Sequence, residues 1–149
     1  MTYFLDTNII SYLLKGNKSI LQKLDTLAEN DNKISIPSIA YYEIKRGLLA
    51  NNATTKLTRF LKFVEVIGIV ELTAATLNIA AKIYADLKKT GKPIEDDDLF
   101  IGASALEHNA VLITNNERKH IGADAPSMFT RLSSARLCIV QSALRGADF

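Results

Sequence analysis

The sequence predicts an α/β protein: a doubly wound, mostly parallel sheet of four or five strands flanked by helices. Three observations predict it. Short apolar runs at 2–5, 33–36, 69–72 and 110–113 alternate with longer segments of helical spacing, the pattern of strand–helix–strand units with right-handed crossovers. The first and last of these runs end alike, in Asp6-Thr7-Asn8 and Thr114-Asn115-Asn116. In an open parallel sheet such strand ends face the crevice where ligands bind. Finally, 149 residues with 48% hydrophobic and 23% charged side chains describe one ordinary domain with a core of its own.

The elements follow in order. The run ending at Asp6 is a short buried strand, and Asp6, Thr7 or Asn8 either caps the helix starting at Ile9 or belongs to a site. Tyr12, Leu13 and Leu14 continue that helix, and Gly16 ends it in the left-handed conformation. Ser19 is expected to cap a second helix with Ile20, Leu21, Leu24, Leu27 and Ala28 on one face. After the second strand, Pro37-Ser38 starts a third helix over 39–49, where Gly47 is expected to allow close helix packing. Glu43 sits about a turn into it and leans back towards the strand end; the bland alternative is a surface residue paired with Arg46. A fourth helix starts at Thr54 or Thr55 and carries Lys56, Arg59 and Lys62 on its polar face. Thr73 caps a long fifth helix, expected to bury Ala74, Leu77, Ala80, Ala81, Tyr84 and Leu87. Glu95-Asp96-Asp97-Asp98 precede a helix expected from Leu99 to near Asn109, and the strand at 110–113 follows.

Four acids in a row exceed what helix capping needs, since one or two Asp residues satisfy the first turn and its dipole. The fold brings Asp6, Glu43 and Asp98, from three distant stretches, to one sheet edge. Carboxylates converging without a cation repel one another and take raised pKa values. Hard divalent ions such as Mg²⁺ or Mn²⁺ relieve this, because they prefer oxygen ligands and keep several waters. Such an ion beside a phosphodiester activates water and stabilises the leaving oxygen, so the implied chemistry is metal-dependent phosphoryl hydrolysis. By the same repulsion argument, Asp6→Ala is expected to raise stability in metal-free buffer. Net charge is only +2, so nucleic-acid binding must come from local clusters. A single cysteine, Cys138, excludes an internal disulfide and fits a reducing compartment, the cytoplasm. No signal peptide or membrane span is expected.

Four motifs, Phe4-Leu5-Asp6-Thr7-Asn8, Tyr42-Glu43-Ile44-Lys45-Arg46-Gly47, the 91–103 segment around Glu95-Asp96-Asp97-Asp98, and Leu112-Ile113-Thr114-Asn115-Asn116, together resemble PIN-domain ribonucleases. The likeness is greatest to the VapC-like toxins of bacterial toxin–antitoxin pairs. It implies a PIN-like nuclease domain over 1–120, with Asp6, Glu43 and Asp98 as metal-binding catalytic acids. Thr7 and Asn8 match the residues that orient the first acid, and Asp96 matches an auxiliary acid. Asn116 stands where many members carry a fourth acid, which favours one metal over two. The resemblance further implies an RNA substrate, commonly tRNA cut in a single-stranded loop. It also implies a cognate antitoxin and a homodimer. Lys45 and Arg46 are assigned to RNA, with Arg59 and Lys62, or Arg118 and Lys119, as further phosphate contacts. Ile10, Leu13 and Leu14 would suit a helix-in-groove contact with the antitoxin, or simply pack in the core.

The pattern departs from the family after His120. Residues 121–149 contain no Trp and do not resemble the family's last strand, so they are read as an atypical tail, either non-native or disordered, or a genuine variant. That tail, with Asn116, sustains an alternative: a catalytically impaired PIN-like module that engages an antitoxin or RNA without cleavage. An Asp-x-Asp phosphatase fails because position 8 is Asn. A receiver domain fails because Asp6 stands alone after the first strand, Leu72-Thr73 ends the third, and Asn115-Asn116 follow the last where a Lys is needed. No nucleophile elbow or phosphate-binding Gly-rich loop is present.

Overall fold

The computed structural model describes residues 1–89, 91 and 94–114. Its elements run β1 (Thr2–Leu5), α1 (Thr7–Leu14), α2 (Lys18–Glu29), β2 (Lys33–Pro37), α3 (Ser38–Ala50), α4 (Thr54–Ile67), β3 (Ile69–Val70), α5 (Ala74–Lys89), α6 (Asp96–Glu107) and β4 (Val111–Ile113). Among the described residues the sheet has four strands in the order β3-β2-β1-β4, and every pairing is parallel. The register sets Phe4 between Ser35 and Leu112, and Leu5 beside Ile113. The residues proposed as a tail, 121–149, and Asn115, Asn116, Arg118 and Lys119 lie outside the described residues.

Parallel strands covered by helices on both faces must be apolar on both faces. β1 obeys this: Phe4 and Leu5 are fully buried, as are Ile36 of β2 and Ile9 and Ile10 of α1. With Phe60 and Ile101 they form the main core. Ile10 is therefore core and not a contact surface. Leu13 and Leu14 are half-buried against that core. A second cluster joins Ala80, Ile83 and Leu87 of α5 to Leu99 and Ala103 of α6.

Several local details differ from expectation, each for a physical reason. Asn17, not Ser19, caps α2, its Oδ1 accepting the Ile20 N–H at 3.1 Å. Leu21 then falls outside the packed face and stays exposed. The buried stripe of α5 is Thr76, Ala80, Ile83 and Leu87, whereas Leu77 and Tyr84 are 45% and 44% exposed. Both stripes have helical spacing, and packing on α6 selects the one with Ile83. α6 starts at Asp96, three residues earlier than expected, so three acids lie inside its first turn. A Cβ built on Gly47 would meet open space, so this glycine is not a packing device. Gly16 does close α1 as expected, at φ +83°. Among the described residues no helix is long and apolar enough to cross a membrane.

Candidate active site

The carboxyl end of β1 places Asp6, which is 3% exposed and caps α1. Both of its oxygens are engaged. Oδ1 accepts the Thr7 backbone N–H at 2.7 Å, while Oδ2 accepts Asn8 Nδ2 at 2.9 Å and the Thr114 hydroxyl at 2.6 Å. Asn8 Nδ2 also donates to Thr114 Oγ1 at 3.1 Å. Thr114 arrives because β4 lies beside β1, with the Asp6 N–H bonded to the Ile113 carbonyl at 3.1 Å. Asp6 is thus both the helix cap and the fixed member of the site.

Glu43 reaches the same edge from the second turn of α3. Its Oε2 accepts the Thr7 hydroxyl at 2.5 Å. Asn8 therefore orients the first acid as expected, whereas the Thr7 side chain orients the second. Burial raises the Glu43 pKa above the usual carboxylate range. The Thr7 hydrogen bond opposes this, Asp97 adds repulsion, Arg46 lowers it, and Asp6 contributes further repulsion.

The first turn of α6 supplies the remaining acids. Arg46 bridges Glu43 and Asp97 at 3.9 and 3.7 Å, tying α3 to α6. Its guanidinium lies 5.0 Å from the Tyr42 ring centre. Tyr42, then Asp97 and Glu43, hold it firmly protonated. Asp98 is partly buried in the same turn, whereas Asp96 is exposed. Among the described residues no three acids stand close enough together to hold an ion with their side chains as they lie.

Asp6, Glu43 and Asp98 nonetheless fit a divalent cation by chemistry. All three are hard oxygen donors, and Glu43 sits in an environment that disfavours its charge while acids on two sides face it. The arrangement fits in kind rather than as a closed cage. The two cations assigned to RNA are both occupied: Arg46 by the acids, and Lys45 by the Tyr41 hydroxyl at 2.8 Å and its ring at 5.2 Å. Two participants were absent from the sequence-based site. Thr114 was detectable as the strand-end repeat of the Asp6-Thr7-Asn8 pattern. Asp97 was detectable only as a member of the acidic run, because its partner Arg46 is brought by tertiary structure.

The sequence profile of the PIN domain matches residues 3–123. Ribonuclease VapC1 of Haemophilus influenzae strain R2866 is 34% identical over 130 residues, covering 80% of this chain and 90% of that protein. The structure of VapBC-1 from nontypeable Haemophilus influenzae superposes with a TM-score of 0.74 at 30% identity, covering 93% of this chain and 97% of that one. More distantly, the tRNA(fMet)-specific endonuclease VapC of Shigella flexneri is 25% identical over 120 residues, 80% of this chain and 89% of that protein.

Proposed function

The chain belongs to the PIN-domain family, in its VapC-like ribonuclease branch, and on that footing we propose that it is a divalent-metal-dependent endoribonuclease, the toxin of a toxin–antitoxin pair. The observation that carries the chemistry is the convergence of Asp6 and Glu43 through Thr7, with Arg46 linking Glu43 to the first turn of α6. Asp6, Glu43 and Asp98 would hold Mg²⁺ or Mn²⁺, which when bound polarises water and steadies charge on a phosphodiester. Asp6 enters this role already fixed by Thr7, Asn8 and Thr114, which lowers the cost of organising the site. The Thr7 hydroxyl holds Glu43 oriented, and Arg46 offsets repulsion between Glu43 and Asp97. Asp96, exposed in the first turn of α6, is assigned the auxiliary role of an outer acid.

The proposed substrate is structured RNA, with tRNA favoured by the name of the Shigella flexneri relative. An antitoxin partner is supported by the VapBC structure to which the chain is similar. A homodimer is proposed on the family resemblance alone. The test is cleavage of pooled tRNA by purified protein in Mg²⁺ or Mn²⁺ against EDTA, with Asp98→Asn alongside. Discrete fragments that require metal and vanish in the variant are expected. Absence of cleavage by the wild-type protein would overturn catalysis and indicate the binding-only module.

A further inference from the structure

We propose that the groove between α1, α3 and the start of α4 carries the RNA strand flanking the scissile bond, with Lys15 and Lys56 as phosphate contacts. This rests on the nuclease reading above. The groove has a volume of about 400 Å³ and is lined by Thr7 and Glu43, so it reaches the candidate site at Glu43. Lys15, Arg46 and Lys56 line it too. Of these, Arg46 is bound to Glu43 and Asp97. Lys15 follows the last turn of α1, with its ammonium 5.9 Å from the Tyr12 ring centre, and Lys56 lies in the first turn of α4. Both are exposed, and among the described residues neither is in a salt bridge.

The placement of Lys56 is informative. A cation in the first turn of a helix opposes the dipole, where acids are favoured. α4 has no acid in that first turn, and its N-cap residue, Ala53, makes no side-chain capping bond. The positive end of α4 therefore faces the groove uncompensated by its own residues, and Lys56 adds to it. A polyanion drawn towards a carboxylate site meets repulsion, and cations in the same groove offset it. Lys15 and Lys56 supply that offset without disturbing the Arg46 bridge. Gly47, whose missing side chain leaves open space, widens the same groove.

The test is binding of a fluorescent single-stranded RNA of mixed sequence, in EDTA across a salt series, to the wild type, the K15Q/K56Q double variant and a K82Q control. Each phosphate contact on a single strand contributes about 0.7 to the slope of log affinity against log salt, so the double variant should lose about 1.4 and bind roughly tenfold more weakly. K82Q, on the exposed side of α5, should match the wild type. In Mn²⁺ the double variant should cleave with a raised KM and an unchanged kcat. Wild-type cleavage combined with an unaltered slope and KM in K15Q/K56Q would overturn the groove assignment while leaving the nuclease intact. Failure of the wild type to bind or cleave any RNA would overturn both.

Discussion

Asp6 does two jobs through its two oxygens, one closing the first turn of α1 and the other anchoring Asn8 and Thr114. The expectation that Asp6→Ala stabilises the metal-free protein therefore reverses. Losing an N-cap costs about 1 kcal/mol, and leaving buried donors unpaired costs about 1–3 kcal/mol more. Urea denaturation should show Asp6→Ala destabilised by about 2–4 kcal/mol, and a gain in stability would refute the capping role. The repulsion argument belongs to Glu43 instead. Its folded pKa is raised, so the folded state holds a proton more tightly than the unfolded chain there. Stability from this group is therefore lost as pH rises from the unfolded value through the folded one. Glu43→Gln should raise the melting temperature at neutral pH in EDTA, with the difference vanishing once both states are protonated at acid pH. Asp6, Glu43 and Asn8 were legible from residue type and position on the chain. Thr7 holds Asp6 through its backbone N–H, while its hydroxyl bonds Glu43, a contact not legible in sequence because the approach of α3 is tertiary.

At the scale of elements, the junction of α5 with α6 holds the outer layer together. Thr73 and Thr76 cap each other: the Thr76 N–H donates to Thr73 Oγ1 at 3.1 Å and the Thr73 N–H to Thr76 Oγ1 at 3.3 Å. Both hydroxyls then donate to Glu107 near the end of α6. Those hydrogen bonds, Thr76 first and Thr73 second, lower the Glu107 pKa. The stability they confer is present above the ordinary carboxylate range and is lost as pH falls through the depressed value. Thr73→Ala should cost about 1 kcal/mol as a lost cap, read by thermal denaturation, and the cost should shrink in acid. Cap residues such as Thr73 are legible because their chemistry is local. The buried face of α5 was not, since two overlapping stripes compete in sequence and only the partner helix decides between them. The early start of α6 was missed for a related reason: the acids read as a loop, yet an N-terminal turn tolerates them well.

Across the whole molecule, sheet order explains the site. Placing β1 between β2 and β4 brings the ends of β1 and β4, and the helix that follows β2, to one edge. Alternating strands and helices made this architecture legible, because a parallel sheet leaves few alternatives. The ion-pair network across the edge was not, because Arg46 and Asp97 lie far apart in the chain and meet only when α3 packs on α6. Arg46 bridges Glu43 and Asp97 across this edge, and the three acids assigned to the site are hard oxygen donors. The account therefore turns on a divalent cation at Asp6, Glu43 and Asp98. Calorimetric titration of Mn²⁺ into the wild type and Asp98→Asn tests this most directly. The account predicts one saturable site in the wild type, weakened by about tenfold or more in Asp98→Asn. Equal Mn²⁺ affinity in the two proteins, or no saturable binding by the wild type, would contradict it.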